Sequence, residues 1–385
     1  MRIKKNMNLN EIIVKYPETI EILKNNGFKG LDNQVVLEKL KEITLEEALK
    51  LKKINIDSFL ILLEESIGED KVLEDKNAIT LTGLLPCPVR TPLLEKFQNF
   101  LHKNKDINIK YELKAASAGL SWLKDDVINA NNLDNLSDMF ISAGFDLFFE
   151  KKLMGKFKEH GAFEDMTDIT EYNKDFIDLK DPKGEYSMIG VVPAIFLVNK
   201  EKLGNRDMPT SWEDILSPEF EKSVSLPIAD FDLFNAILVN IYKKYGDSGV
   251  EKLGKSLMSS MHPAEMVGSN GPTITIMPYF FSKMIKENGP MIAIWPKEGA
   301  IISPIFMLTK KNKRDELKKI VDFMSGEEIG NIISHQGLFP SVNPKVKNLT
   351  EGKPIMWIGW DYIYSNDIGE IIRHCEEIFK KGTEL

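Results

Sequence analysis

Cysteine is scarce in this chain of 385 residues, which contains only Cys87 and Cys375. Two cysteines cannot form the disulfide framework of a small secreted domain, and a chain of this length can bury a core large enough to do without one. The five histidines are scattered, without the spacing of metal ligands. No zinc-protease helix, serine-hydrolase elbow or phosphate-binding glycine loop occurs in the sequence. The sequence therefore predicts no metal site and no cofactor.

Clusters of one charge and long apolar runs are missing as well. The formal net charge is −8 and the basic residues are mixed among acidic ones, so nucleic acid is not an expected partner. No run is long and apolar enough to span a bilayer. The basic start MRIKKNMNLN is not followed by the apolar stretch of a signal peptide. As written, the sequence predicts a cytoplasmic protein, or an extracytoplasmic one if a leader was removed.

Residues 1–70 have the pattern of a small helical domain. Apolar residues recur at helical spacing, and Thr44 with Glu47 has the form of a capping box. The segments YPETIEILKNNGFKGL and ITLEEALKLKKINIDSFL resemble the helical domain associated with hybrid-cluster proteins. That resemblance implies cysteines after the glycine turn, where this chain has Phe28, Lys29 and Gly30. We therefore expect a docking or dimerising module rather than a redox domain.

From residue 77 onward, short β-rich runs alternate with helical runs. The run AITLTGL precedes TPLLEKFQNFLHK, KSVSLPIA precedes DFDLFNAILVNIYKKYG, and PTITIMPYFF precedes SKMIKEN. This alternation predicts an α/β fold with a mostly parallel sheet. In such sheets, ligands bind beyond the carboxyl ends of the strands, next to the starts of the helices.

Three segments of the α/β region resemble ABC-transporter substrate-binding proteins of the iron(III), spermidine and phosphonate type. They are PAIFLVNKEKLG, the stretch 208–253 that begins MPTSWEDILSPEF, and the stretch 295–344 that begins WPKEGAIISPIF. The resemblance implies a two-lobed type II periplasmic-binding-protein fold over 77–385. Lobe 1 would comprise about 77–187 and 304–385, and lobe 2 about 188–303. A ligand would lie in the cleft between the lobes, which close on it about a hinge.

The first candidate site residues follow the strand AITLTGL. We expect a rigid turn to present Cys87, Pro88 and Arg90 to the cleft, with a helix starting near Thr91. The positive end of that helix would favour a thiolate at Cys87, which could bind a soft metal or a thiol compound. Cys87 could instead be a small packing residue. Arg90 could bind an anion or form a surface ion pair.

Two further turns of lobe 1 are candidates for the cleft. Ser117, Ala118 and Gly119 are small enough for backbone N–H groups to approach a carboxylate or phosphate, although they could form only a tight turn. Phe148 follows another predicted strand and would either wall the cleft or belong to the core.

In lobe 2, the candidates follow two predicted strands. Asp230 and Phe231 come after KSVSLPIA, where a carboxylate could bind a cation or cap the next helix. Tyr279 comes after PTITIMP and is the expected aromatic contact. Iron-binding relatives use two adjacent tyrosines, and this sequence has no Tyr-Tyr pair. We therefore do not expect ferric iron held by tyrosinates.

The sequence supports three functional hypotheses. The first is a non-catalytic solute-binding protein for ABC transport, which closes on a small anionic, thiol or soft-metal ligand and contacts a permease. The second is a cytoplasmic sensor or scaffold that docks to a partner protein through the helical domain. The third is an enzyme of sulfur or acyl transfer that uses Cys87 as nucleophile, although no histidine is placed beside Cys87 by the sequence.

Overall fold

The computed structural model describes residues 3–26, 28, 30–31, 40–52, 54, 56, 59–60, 63, 78–116, 121–145, 147–228, 231–260 and 272–383. Contacts divide these residues into two compact units, one with the described residues up to 63 and one with those from 78 onward. No helix in the described ranges is long and apolar enough to cross a bilayer.

The N-terminal unit is helical, as predicted. Its helices are α1 (Leu9–Lys15), α2 (Thr19–Asn25) and α3 (Leu45–Leu51). The predicted capping box begins α3, because the Thr44 amide donates to Glu47 Oε2 at 2.9 Å and the Glu47 amide donates to Thr44 Oγ1 at 3.3 Å. The apolar faces of the three helices meet in one core that includes Leu9, Leu23 and Leu49.

The second unit has an α/β fold, as predicted. Its first half contains β1 (Ile79–Leu85), α4 (Cys87–Lys103), β2 (Ile109–Ala115), α5 (Ser121–Asn129), β3 (Met139–Ala143), α6 (Lys151–Lys158), β4 (Tyr186–Asn199), α7 (Lys200–Leu203) and α8 (Trp212–Ile215). Short 3₁₀ helices lie at Leu133–Asn135, Leu147–Phe149, Lys174–Leu179 and Pro218–Phe220.

The second half begins with β5 (Val224–Leu226) and the long helix α9 (Phe231–Ser256), which is kinked at Gly246. It continues with β6 (Leu257–Ser260), β7 (Ile274–Pro278), β8 (Met291–Ile294), β9 (Ala300–Thr309), α10 (Arg314–Met324), α11 (Glu327–Asn331), β10 (Ile355–Met356), α12 (Trp360–Ser365) and α13 (Ile368–Thr383). Two 3₁₀ helices, Tyr279–Met284 and Lys311–Lys313, follow β7 and β9, and a π-helix, Ile332–Gln336, follows α11.

The strands form one continuous path in the order β2-β1-β3-β9-β4-β7-β5-β6. Strands β2, β1 and β3 are parallel to one another, and so are β7, β5 and β6. The long strands β9 and β4 join these two groups, because they are antiparallel to each other and to β3 and β7. We call the group around β1 lobe 1 and the group around β5 lobe 2. Each lobe is thus a small α/β layer attached to a shared pair of strands.

The shared strands are apolar on both faces. All fourteen residues of β4 and all ten of β9 are buried. Strands covered on both sides read as continuous apolar runs, which explains why YSMIGVVPAIFLVN and AIISPIFMLT lack an alternating pattern. A bulge interrupts their pairing between Met188 and Gly190. At Gly190 a Cβ atom would lie 2.8 Å from the Pro340 carbonyl oxygen, so only glycine fits there.

We expect Gly83→Ala to lower the free energy of unfolding by about 3 kcal/mol, the upper range for overpacking. The added Cβ would lie 1.8 Å from the Ile141 carbonyl oxygen, within the β1–β3 pair. Gly155→Ala is the matched control, because its Cβ meets nothing nearer than 3.8 Å inside α6. Gly155→Ala should raise the free energy of unfolding by about 0.8 kcal/mol, because alanine has a higher helix propensity than glycine. Urea unfolding checks both, and equal effects of the two variants would contradict the packing at Gly83.

Candidate functional site

The carboxyl ends of the parallel strands define the candidate site. In lobe 1 these ends are Leu85, Ala115 and Ala143, and in lobe 2 they are Leu226, Ser260 and Pro278. The long helices α4 and α9 start directly beyond β1 and β5. All ten residues that the sequence singles out lie in the segments that follow five of these strand ends, those of β1, β2, β3, β5 and β7.

The two lobes touch where β3 ends and α9 begins. A Cβ atom on Gly144, the residue after β3, would lie 2.5 Å from the Cβ of Asp232 in the first turn of α9. The Asn235 side-chain amide donates to the Phe145 carbonyl at 3.3 Å. The Ser303 hydroxyl on β9 donates to the Asp232 carbonyl at 3.2 Å. The start of α9 is therefore held by lobe 1 and by a shared strand.

Lys283 makes a second bridge between the lobes. It lies in the 3₁₀ helix after β7, and its Nζ donates to the carbonyls of His335 and Gln336 at 2.9 and 2.7 Å. Those carbonyls belong to the π-helix that follows α11, on the lobe 1 side. Partial desolvation lowers the pKa of Lys283. The neighbouring Phe280 faces Phe339, with ring centroids 6.5 Å apart.

Cys87 is the first residue of α4 and is half-buried, as is Pro88. The helix begins earlier than the predicted Thr91, because proline is tolerated in the first turn, where no backbone N–H is needed. Two residues on, Val89 packs against Gly337, where a Cβ would lie 2.5 Å from Val89 Cγ1. Gly337 directly follows the π-helix that Lys283 contacts. The start of α4 and the Lys283 bridge thus meet on one short segment.

Arg90 is 4% exposed, so it is not the surface ion pair that the sequence allowed. Its Nε donates to the Leu113 carbonyl on β2 at 3.0 Å. This bond fixes the first turn of α4 to the strand beside β1, close to the carboxyl end of β2. In the structure Arg90 therefore positions the turn that carries Cys87.

Phe148 corrects a prediction, because its side chain is fully buried instead of walling the cleft. Its ring packs against Phe140 and Phe306, with centroids 5.0 and 5.8 Å away. Its carbonyl accepts hydrogen bonds from the Tyr186 hydroxyl at 2.8 Å and from Lys158 Nζ at 2.6 Å. Lys158 also contacts the Tyr186 hydroxyl, and burial lowers the pKa of Lys158 to about 7. Phe148 belongs to the core, the alternative that the sequence left open.

Tyr279 is half-buried and forms an aromatic corner with Trp295, a residue the sequence analysis missed. The two rings are nearly perpendicular, with centroids 5.2 Å apart. Lys353 Nζ lies 4.9 Å from the Trp295 ring and 5.7 Å from the Tyr279 ring. The signal for Trp295 was its position just after β8, where an aromatic residue precedes a proline.

Four predicted site residues, Ser117, Ala118, Gly119 and Asp230, lie outside the described residues, and Phe231 starts α9 with a side chain that is not described. Other polar groups near the cleft were missed. Among the described residues, Asn235 Oδ1, Ser142 Oγ and Trp357 Nε1 are buried without a hydrogen-bond partner. The Trp357 ring stacks on Phe145 at 5.4 Å. Within the same described ranges, no group of three His, Cys, Asp or Glu side chains could hold a metal ion.

Residues 134–366 match the family described as bacterial extracellular solute-binding protein, which is more than half of the chain. The chain belongs to this family. Residues 3–60 of this solute-binding protein match a domain of unknown function (DUF1858). No curated protein matches the chain in sequence.

Solved structures agree with the predicted type II fold of this solute-binding protein. The ferric binding protein from Campylobacter jejuni superposes with a TM-score of 0.58 at 15% identity, over 79% of this chain and 99% of that one. Iron-bound HitA from Pseudomonas aeruginosa superposes with a TM-score of 0.56 at 14% identity, over 78% of this chain and 99% of that one. The substrate binding protein of an ABC transporter from Agrobacterium tumefaciens has a TM-score of 0.57 at 14% identity, over 80% of this chain and 95% of that one. The two-lobed type II fold is thereby confirmed.

We expect Lys283→Met to open this solute-binding protein, because it removes two charge-assisted hydrogen bonds between the lobes. The side chain is exposed, so the bridge should contribute only about 1 kcal/mol and about fivefold in ligand affinity. Small-angle scattering should report a larger radius of gyration for the ligand-free variant. Lys286→Met, an exposed lysine three residues on in the same segment, is the matched control. An unchanged scattering curve for Lys283→Met would contradict a bridging role.

Proposed function

We propose that the protein binds a small anionic ligand between its two lobes and performs no chemistry on it. The observation that carries this proposal is the convergence of both lobes at one place. The start of α9, from lobe 2, contacts Gly144 and Phe145 at the end of a lobe 1 strand. A ligand held at that junction would touch both lobes, and binding would favour the closed arrangement by its difference in affinity for the two states.

Helix starts and lysines around the junction support an anionic ligand and oppose the carboxylate of Asp232, which lies there in the first turn of α9. Two long helices, α4 and α9, begin there, and backbone N–H groups at helix starts favour negative charge. Lys283 and Lys353 add positive charge on the side of Tyr279. Asn235 Oδ1 and Trp357 Nε1, which have no partner in the described part of the chain, could accept from and donate to the uncharged part of the ligand.

A thiol compound or a soft metal is the second ligand class within this proposal. Cys87 supports it, because it is half-buried at the first position of α4, where the helix dipole favours a thiolate. Cys375, in contrast, lies in surroundings that disfavour a thiolate. It is fully buried, and burial, with Asp247 and Glu376 nearby, raises the pKa of its thiol to about 12. Of the two thiols, Cys87 is therefore the one suited to ligand contact.

Two solved relatives are named as ferric or iron-bound proteins. This sequence has no pair of adjacent tyrosines, the ligands expected in iron-binding relatives, which favours an oxoanion over a bare ferric ion. An enzymatic role for Cys87 needs a base beside the thiol. His335, two residues before Gly337, is engaged through Nε2 by the Lys347 carbonyl at 2.9 Å. This geometry favours binding over catalysis.

The partner implied by the proposal is an ABC permease, since the solved relatives include the substrate binding protein of an ABC transporter. The N-terminal helical unit offers a second docking module for another protein. Pull-down with the full chain and with a chain that lacks residues 1–70, each with the permease as bait, separates the two roles. We expect both chains to bind the permease.

Native mass spectrometry of the purified full chain should find a bound small molecule, and thermal-shift titration should identify its class. We expect a rise in melting temperature with methylphosphonate or sulfate and a smaller or no rise with ferric citrate. A shift accompanied by turnover of the added compound would contradict the proposal. So would the absence of any shift across oxoanions, thiols and soft metals.

Cys87→Ser tests the thiol class separately. If Cys87 contacts a thiol or soft-metal ligand, the substitution should abolish the shift with cysteine or cadmium and leave the shift with methylphosphonate unchanged. Cys375→Ala is the matched control, because it removes the buried thiol and should keep every ligand shift. Equal loss in both variants would indicate damage to the fold instead of loss of a ligand contact.

A further inference from the structure

Lobe 1 has a cavity at the end of the sheet that faces away from the junction of the lobes. Its volume is about 580 Å³, within the range of small-molecule sites. The cavity is bounded by the turn before β3, by the end of α6 and by the 3₁₀ helix after β9. Strand β3 begins beside this cavity at Met139, pairs there with Thr309, and reaches the lobe junction at Ala143. About 15 Å of strand therefore separates the two places.

The walls of this cavity are basic and amide-bearing. Lys156, His160 and Lys311 line it together with three asparagines, and none of the described lining residues is acidic. The Lys156 ammonium is held by the Ala130 carbonyl at 2.7 Å, which fixes a positive charge at one wall. Lys311 reaches the cavity from the opposite side, and its backbone amide is tied to the Ala162 carbonyl at 2.8 Å.

Several polar side chains at the rim of this cavity are exposed to solvent and available to a ligand. In the described part of the chain, no hydrogen bond or ion pair engages the side chains of Lys311, Asn131 or Asn312. Two basic residues nearby do have acidic partners, because Lys319 pairs with Asp106 at 2.6 Å and Arg314 with Glu164 at 2.8 Å. The floor is apolar, formed by Leu133, Phe157 and Ala162. Basic walls over an apolar floor fit an organic anion better than an inorganic one.

We propose that this cavity is a second binding site, for a small organic anion that places a phosphate or carboxylate between Lys156 and Lys311 and an apolar group on Phe157 and Leu133. The paired donors of the asparagines would complete the hydrogen bonds of the anion. The site is separate from the lobe junction in both position and lining, so it does not depend on the function proposed above.

Isothermal titration calorimetry of the full chain with phenyl phosphate tests the site. Phenol and inorganic phosphate, which each carry one half of that probe, are titrated separately for comparison. We expect phenyl phosphate to bind at least about tenfold more tightly than either half, because the charge and the ring each contribute. Binding of phenol or of phosphate that is as tight as that of phenyl phosphate, and that Lys311→Glu weakens equally, would overturn the proposed ligand class.

The location is tested by charge reversal. Lys311→Glu should weaken phenyl phosphate binding by about tenfold or more, since it places a carboxylate against the anion. Lys345→Glu, at an exposed lysine that does not line the cavity, changes the net charge equally and should leave binding within about twofold. Equal effects of the two variants, or wild-type binding by Lys311→Glu, would overturn the site. Melting curves of both variants establish that the fold is retained.

Discussion

The pairing of β4 with β9 is the constraint on which the rest of the α/β unit depends. The two strands are matched over Tyr186–Ala194 and Ile301–Leu308, and every residue of both is buried. One lobe is added at β3 and the other at β7, on opposite sides of this pair. Each lobe alone has only three parallel strands, and the shared pair is the middle of the one sheet that joins them.

Strand β9 also sets the distance between the two sides of the cleft. The Pro304 carbonyl accepts from the Gly144 amide at 2.8 Å, while the adjacent Ser303 hydroxyl donates to the Asp232 carbonyl at 3.2 Å. Two consecutive residues thus hold the loop after β3 and the first turn of α9. The Asn235–Phe145 hydrogen bond then closes the junction. A change in the twist of this one strand would move both walls together.

Local patterns in the sequence predicted the elements well, because strand and helix periodicity and the capping box at Thr44 depend on near neighbours. The positions of the strand ends followed from the same patterns and from the family resemblance. The contacts that single side chains make with distant segments did not follow from these patterns. Whether Phe148 faces a cleft or the core depends on Phe306, and the burial of Arg90 depends on Leu113. Lys283 and Trp295 gained their roles only through contacts with distant segments.

The order of strands in the sheet has a consequence for biosynthesis. Strand β3 lies between β1 and β9, yet β9 begins at Ala300, long after β3 ends at Ala143. During vectorial synthesis one edge of β3, an apolar strand buried at all five positions, stays unpaired while the whole of lobe 2 is translated. An emerging chain with such an edge is open to intermolecular strand pairing. Slow translation between β3 and β9 would prolong the exposure of this edge.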